Sequence, residues 1–561
     1  MTYTASLNRL TKPTLQPELY SRVQYETLAR HLSAAPNFSR RVQDGHWHRR
    51  PRPNSDAFVH VVVHTFQGNK HLRRDDFDLK DGLAQFVDHP QPTNRSDQVV
   101  FVRGSLSAAW VEALGTKYKI DPEFFRRHLR YLPGPAFSDL PSLPSANTEM
   151  MTLILASLYI RKHTIAPGQI RRCREMDSDV ARRNQKSIYG DMLPGETIVR
   201  RFSTLSDRLF SLEHEVSIFT RIRKNGSQIA VVLLDNGLEM NRENGPACFS
   251  RQDSMIPRAS VTGISPIPVI VPRPSTLNIN VVHPDAPIHY DPAPPNSIGH
   301  VASLLPFYLG MSTNTPCTRP DIFALIPEVF RLVAGSECQF LNQLRGLVQE
   351  QDLDPPDGEN MNLAINTLRY IKAISEDHKQ SLKQNIAFLQ TRCPANPDAG
   401  SASVAGSSTQ AERAHSSDEL TSILIDFEEL LVRAESVGSL CTETMGLILN
   451  GAMLRESQKA IQRADDQRRL TVLAYLFLPL TVVFGLFGMN VEELGTGSHS
   501  IWVPFAVLAP VGCISWALFY PRKKQLLKSG IQLLTSCGSN HHTQGATISS
   551  SNSRDNEIGS V

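Results

Sequence analysis

Two long apolar runs near the C-terminus dominate the hydropathy pattern of this chain. The first extends over 470–489 and the second over 501–520, and only the short polar segment 490–500 separates them. An α-helix rises about 1.5 Å per residue, so each run is long enough to cross a hydrocarbon core about 30 Å thick. The pattern therefore predicts two transmembrane helices that form a hairpin, with 490–500 as the connecting loop.

Charged residues flank these two runs asymmetrically. Basic residues precede the first run and follow the second (Arg463, Arg468, Arg469, Arg522, Lys523, Lys524 and Lys528), whereas 490–500 contains no lysine or arginine. Because cytoplasmic flanks of membrane spans are enriched in lysine and arginine, the pattern predicts cytosolic termini and a non-cytosolic loop. The alternative is a hairpin of apolar helices buried in a soluble protein.

Upstream of the first run, apolar residues recur from Leu420 to Leu447 at mostly three- and four-residue spacing. This spacing places them on one side of a helix and predicts a long stalk helix over 418–469. A plain coiled-coil oligomerisation helix fits the same pattern. Helical patterning also covers 321–393, and the Ser/Ala/Gly-rich segment 394–417 is predicted to be a disordered linker.

The N-terminal half alternates between strand and helix patterns. β-rich runs occur at Phe58–Phe66, Val99–Val102, Glu215–Ile222 and Gln228–Asp235, the last two separated by an Asn-Gly turn signal. Ser105 is predicted to cap a helix that ends near Gly115, and Asp121 to cap a second helix that starts with Pro122. Together they predict an α/β cytosolic domain over 56–250.

The remaining segments are poor in either pattern. Residues 1–55 are predicted to be an irregular basic N-terminal arm, and the prolines of 251–320 predict an extended connector or surface insertion. The C-terminal 521–561 begins with basic residues and then becomes rich in Ser, Asn and Gly, which predicts a disordered cytosolic tail.

Composition by itself conceals the membrane segments and excludes several functions. The 561 residues carry a net charge of +3 and 41% hydrophobic residues, which is ordinary for a soluble protein and too weakly basic to predict nucleic-acid binding. Eight cysteines without CxxC pairs predict neither a zinc cage nor a disulfide framework. No phosphate loop, Ser/His/Asp set or catalytic carboxylate pair appears in usable context, so an enzyme is not predicted.

The end of the first run carries a recognisable set of residues: Pro479-Leu480-Thr481, Gly485, Gly488-Met489-Asn490, an acidic loop and the basic cluster Arg522-Lys523-Lys524. In this order, around paired C-terminal spans, they resemble the CorA family of divalent-cation channels. Phe487 is a departure, because the family usually has tyrosine before the glycine. The resemblance implies an α/β cytosolic domain, a stalk helix, a pentameric pore and no organic cofactor.

Within the first predicted span, five residues fall on one helical face. Leu470, Ala474, Leu478, Thr481 and Gly485 recur at spacings of four, four, three and four residues. If several copies surround one axis, this mostly small or polar face would line a tube, with the leucines as hydrophobic constrictions. The alternative is a small-residue face that packs helix against helix.

The Gly-Met-Asn triplet predicts an ion filter for a hydrated cation. Mg²⁺ gives up its waters reluctantly, and a ring of Asn490 amide oxygens could accept hydrogen bonds from them without a fixed charge that would trap the ion. Gly488 allows a backbone turn, and Met489 would pack the filter. Glu492 and Glu493 would concentrate cations at the outer mouth, or simply lie in a solvated loop.

Acidic residues on the stalk are weaker candidates. By the resemblance, Asp426, Glu428 and Glu429, with Asp465 and Asp466 nearer the membrane, would bind regulatory Mg²⁺ between subunits. Acidic runs on helices are usually solvated, and that interpretation stays open.

The sequence thus predicts a homo-oligomeric, multi-pass channel or transporter that moves Mg²⁺ down its electrochemical gradient. Two alternatives are transport of Zn²⁺, Co²⁺ or Ni²⁺, and a non-conducting membrane-anchored sensor or interaction protein. Membrane lipid and the ion are the expected partners. The plasma membrane is the predicted location, with the vacuolar and inner mitochondrial membranes as alternatives.

Overall fold

A mixed eight-stranded sheet organises the N-terminal part of the protein in a computed structural model. The structure describes residues 2–11, 23–33, 58–67, 70–92, 96–130, 149–161, 164–166, 168–177, 194–238, 264–271, 301–309, 322–353, 359–392, 408–487, 500, 502–503 and 505–514. The strands are β1 (Val59–Gln67), β2 (Lys70–Asp78), β3 (Asp97–Arg103), β4 (Met150–Arg161), β5 (Arg201–Thr204), β6 (Leu209–Ile222), β7 (Gln228–Leu234) and β8 (Ile264–Pro266).

Seven strands are arranged in the order β2-β1-β3-β7-β6-β4-β8. The eighth strand, β5, lies outside this order and pairs with β6. β3 and β7 are parallel, with Gln98 opposite Ile229, and every other described pair is antiparallel. β6 and β7 form the predicted hairpin, in which Ile222 lies opposite Gln228 and Gly226 adopts a φ of 78°. The predicted α/β class is therefore confirmed for this part of the chain.

Helices cover both faces of the sheet. One face packs against α1 (Tyr3–Thr11), α2 (Glu26–Ser33), α3 (Gly82–Asp88), α4 (Ala108–Tyr118) and α5 (Pro122–His128). The other face packs against α7 (Pro327–Leu353), α8 (Glu359–Arg392) and the N-terminal part of α9 (Ser408–Phe487), with the short α6 (Leu305–Tyr308) beside them. Neighbouring strand residues alternate between the two cores: Val61 and Val63 point to one, Val62 to the other.

The N-terminal arm is more ordered than the sequence predicted. Residues 1–55 were expected to be irregular, but Tyr3–Thr11 and Glu26–Ser33 are helices. Tyr3, Leu7 and Leu28 are buried in the core that includes α4 and α5. The prediction is wrong for these stretches because their few apolar residues pack into the helical layer on one face of the sheet, and a short amphipathic helix gives a weak local signal.

The predicted Pro-rich connector 251–320 is partly built into the fold. Residues Ile264–Pro266 extend the sheet at the end of β4, and the backbone N–H of Ile267 donates to the carbonyl of Leu158. Farther along, Ala302 and Leu305 are buried in the core beneath α7. A plain connector is therefore the wrong interpretation of the described parts, since prolines are compatible with an edge strand.

The boundaries of the C-terminal helix also differ from expectation. The helix α9 runs unbroken over Ser408–Phe487, so it begins inside the predicted disordered linker 394–417 and combines the predicted stalk 418–469 with most of the span 470–489. A last apolar helix, α10, covers Phe505–Ile514 within the predicted second span. The chain divides into two compact units, 1–448 and 449–561.

Candidate functional site

The apolar end of α9 is the candidate site, and it lies in the second unit. Among the residues that the structure describes, one helix is long and apolar enough to cross a membrane, judged by length and composition, and it is the one over Leu420–Gly485. Only 6% of its most apolar window is buried within the chain. An exposed apolar surface of this extent is typical of a helix that contacts lipid or other subunits.

The predicted pore-lining residues all lie on the uncovered part of this helix. Leu470 and Leu478 are 65% and 66% exposed, and Ala474, Thr481 and Gly485 are exposed as well. The hydroxyl of Thr481 donates to the carbonyl oxygen of Phe477 at 2.5 Å, so its polar atom is satisfied within the helix. Such a hydroxyl can line a pore without an energetic penalty in the apolar segment.

The C-terminal end of the helix contacts the next apolar segment. Val483 is only 3% exposed, and the ring of Phe484 packs edge-to-face against Phe505 on α10, with centroids 5.8 Å apart. The indole ring of Trp502, near the start of the second run, has its centroid 6.3 Å from that of the Phe505 ring. The two apolar segments are therefore in contact through Phe484 and Phe505.

Trp502 is a site residue that the sequence analysis did not single out. Its indole is exposed and follows the predicted outer loop, where tryptophan is enriched in membrane proteins because its ring is both apolar and polar. Its position at the beginning of an apolar run was the signal that could have identified it.

Several predicted residues lie in parts of the chain that the structure does not describe. The filter triplet Gly488, Met489 and Asn490, the outer acids Glu492 and Glu493, and the basic cluster Arg522, Lys523 and Lys524 lie outside the described residues. On the described side, Arg468 and Arg469 are exposed on α9, and a guanidinium nitrogen of Arg469 lies 3.9 Å from Asp466. An exposed pair at this distance contributes little to stability.

The candidate regulatory acids do not converge within one chain. Glu429 pairs with Arg433 at 3.0 Å, and Glu428 accepts a hydrogen bond from the Gln390 amide at 3.3 Å. Partial burial raises the pKa of Asp426 above its ordinary value. In the described part of the chain, no group of three or more His, Cys, Asp or Glu side chains is arranged to hold a metal ion. Asp465 is exposed on the same helix.

Comparison with known proteins gives one family match. Residues 398–523 match the family described as CorA-like Mg²⁺ transporter protein. The structure of the full-length CmaX protein is similar with 13% sequence identity, covering 83% of this chain and 97% of that chain, but its TM-score of 0.30 does not establish a shared fold. No curated protein matches the chain.

The family match includes both apolar runs, the triplet Gly488-Met489-Asn490 and all of α9. It contains the short motif on which the resemblance was first based and also extends well upstream of that motif. The resemblance predicted from the sequence is therefore confirmed over residues 398–523, which match the CorA-like family.

Proposed function

We propose that this protein moves Mg²⁺ across a membrane, through a pore that several copies of α9 build around a common axis. The observation that carries the proposal is the family match over 398–523, since this region contains the whole predicted conduction path. In each chain, α9 contacts α10 through Phe484, whereas Leu470 and Leu478 of the predicted pore face are uncovered. An uncovered face is what a pore-lining helix needs.

The driving force in this proposal is the membrane potential. Moving a divalent ion through an inward-negative potential releases about 4.6 kcal/mol per 100 mV, twice the value for a single charge. No nucleotide is required, and no carboxylate interrupts the apolar segment 470–487. The absence of fixed negative charge there favours weak binding and rapid passage over tight capture.

The filter in this proposal is formed by Gly488, Met489 and Asn490. Asn490 amide oxygens accept hydrogen bonds from the waters of the ion, which lets Mg²⁺ stay hydrated. Glu492 and Glu493 raise the local cation concentration outside the filter. Thr481 and Gly485 line the tube below it, and Leu478 and Leu470 form constrictions that exclude water when the pore is narrow.

The test is ion flux into liposomes that contain the purified full-length protein. With an indicator inside and an imposed inward-negative potential, we expect Mg²⁺ entry for the wild type and a loss of at least about tenfold for Asn490→Ala, a difference of about 1.4 kcal/mol. Asn450→Ala is the matched control, because Asn450 is exposed on α9 outside the predicted filter and pore face.

Three results would change the proposal. Normal flux through Asn490→Ala means that Asn490 is not the filter residue. Entry of Zn²⁺, Co²⁺ or Ni²⁺ in place of Mg²⁺ would retain the pore and change the substrate. Absence of flux for every ion, with the protein correctly inserted, would favour the non-conducting sensor, a reading that the Phe487 departure leaves open.

A further inference from the structure

A buried histidine joins three elements of the first unit. His378, on α8, is 1% exposed, and its two ring nitrogens face carboxylates on two different elements. Nδ1 lies 2.8 Å and 2.9 Å from the two carboxylate oxygens of Glu337 on α7. Nε2 lies 3.5 Å from Oε1 of Glu213 on β6. The imidazole thus connects the helical layer to the sheet.

This geometry favours the doubly protonated form of the imidazole. Ionised carboxylates can only accept hydrogen bonds, and a neutral imidazole has only one N–H group to donate. A neutral His378 would therefore point a lone pair at either Glu337 or Glu213. The doubly protonated ring satisfies both. Burial alone would lower the pKa of His378, but the two carboxylates outweigh burial and raise it to about 10.

His378, Glu337 and Glu213 form a triad in which the imidazole is the group that contacts both carboxylates. Other charged groups lie around it. Arg201 on β5 lies 3.8 Å from Glu213, and its guanidinium also donates to Asp377 of α8 at 2.6 Å. Arg130 also acts on Glu213 electrostatically, and from α7 the uncharged Phe340 ring lies 4.7 Å from the imidazole. When His378 loses its proton, the buried Glu337 carboxylate loses the cation that lies 2.8 Å from it, and removing one partner of a buried ion pair is costly.

The helix that carries His378 also contacts α9. One turn before the histidine, the buried hydroxyl of Ser375 donates to the carbonyl oxygen of Ala434 at 2.8 Å. Farther toward the C-terminal end of α8, the ammonium group of Lys383 lies 3.1 Å from a carboxylate oxygen of Glu435 on α9. α8 therefore lies between the sheet and the N-terminal part of α9. Its attachment to α7 and to the sheet, through His378, is ionic and buried.

We propose that His378 is a proton-dependent lock that fastens α8 to α7 and to the sheet, so that loosening of this helical layer releases one proton. The proposal is independent of ion transport. The lock is fully present below the ordinary histidine pKa of about 6.5, and it weakens as pH rises through the pKa of the folded state. Mild alkali, and not mild acid, is the condition that loosens the layer.

Hydrogen exchange of the full-length protein in detergent tests the lock. Exchange of the amides of α8, divided by the intrinsic rate of an unstructured peptide at the same pH, gives the equilibrium constant for local opening. Because opening releases one proton, we expect this constant to rise up to about tenfold per pH unit between about pH 7 and 9. A pH-independent constant in the wild type would overturn the proposal.

Two variants and a control assign the effect to the triad. The double variant His378→Gln with Glu337→Gln replaces the ion pair by two neutral amides of similar size, and we expect its opening constant to lose the pH dependence. Glu213→Gln removes one carboxylate only, so its rise should level off at a lower pH. His214→Gln should keep the full slope, since His214 is buried but its Nδ1 faces the carbonyl of Ile198. Retention of the full slope in the double variant would refute the lock even if Glu213→Gln failed to fold.

Discussion

At the scale of single residues, three glycines determine how the ends of β3 and β7 meet. Gly104 follows β3 with a φ of 75°, and its N–H donates to the carbonyl of Leu234 at the end of β7. A Cβ at Gly104 would lie 2.4 Å from the carbonyl oxygen of Gly195, and one at Gly237 would lie 2.1 Å from the same atom. Three backbone segments therefore touch where no side chain fits.

We expect Gly104→Ala to lower the free energy of unfolding by at least about 2 kcal/mol, because the left-handed conformation alone costs alanine about 1–2 kcal/mol and the backbone contact adds to it. Gly451→Ala is the matched control. Nothing lies within 4 Å of a Cβ there, and alanine in a helix is favoured by about 1 kcal/mol over glycine. Denaturant unfolding of both purified variants measures the difference, and equal stabilities would show that the three segments can separate.

At the scale of elements, α9 changes character along its length. Its N-terminal part buries a stripe of residues against the sheet-and-helix core: Leu420, Ile423, Phe427, Leu430, Ala434, Val437, Cys441 and Ile448. From Leu449 to Tyr475 almost every side chain is exposed in the single chain. Burial of one stripe stabilises the first part, whereas the second part has few contacts within its own chain.

The docking of this first part depends on Phe427. Its ring is buried and packs at 71° to the ring of Phe330 on α7, with centroids 6.4 Å apart. We expect Phe427→Ala to destabilise the protein by about 3–5 kcal/mol, the usual effect of deleting a buried aromatic ring. Val432→Ala, at a position 61% exposed, should change stability by less than about 0.5 kcal/mol. Thermal unfolding in detergent compares them, and similar melting temperatures would mean that α9 is not docked as described.

The sequence predicts elements best where a local signal and the tertiary structure agree. The Asp121 carboxylate caps α5 by accepting from the N–H of Glu123 at 2.8 Å, as expected, and α7 and α8 fall inside the predicted helical segment. The N-cap of α4 is Ser107, whereas the sequence predicted Ser105. Both serines precede the same helix, and spacing alone does not distinguish them.

The strands β2 and β4 escaped prediction for opposite reasons. β2 is an edge strand over Lys70–Asp78 with many charged residues. Such charges protect an edge strand from pairing with other chains, but they do not give the apolar pattern by which a strand is recognised in a sequence. β4 is buried along most of its length, so it lacks the alternation that marks a half-exposed strand. The candidate site was recognisable because membrane spans and the Gly-Met-Asn triplet are local patterns, whereas the His378 triad joins residues that are distant in sequence and could only be found in the fold.

At the scale of the whole molecule, the predicted topology places the segment 490–500 and the C-terminal tail on opposite sides of the membrane. In a variant whose eight native cysteines are replaced by serine, a cysteine at position 498 should react with an impermeant thiol reagent from the non-cytosolic side. A cysteine at position 529 should be protected in sealed cells and react after permeabilisation. Labelling of both from outside would contradict the hairpin.

The parallel pairing of β3 with β7 has a consequence for how the protein is made. Gln98 and Ile229 are partners across a long stretch of chain, so the centre of the sheet cannot form until β7 has been synthesised. Pairings between such distant segments form slowly. β7 nevertheless leaves the ribosome long before Leu470, because it precedes Leu470 in the sequence and the chain emerges at about 5–20 residues per second. Domains fold during this synthesis. The strands therefore have on the order of tens of seconds to pair before the first apolar segment needs a membrane, whereas the stripe of α9 that covers the sheet emerges immediately before that segment.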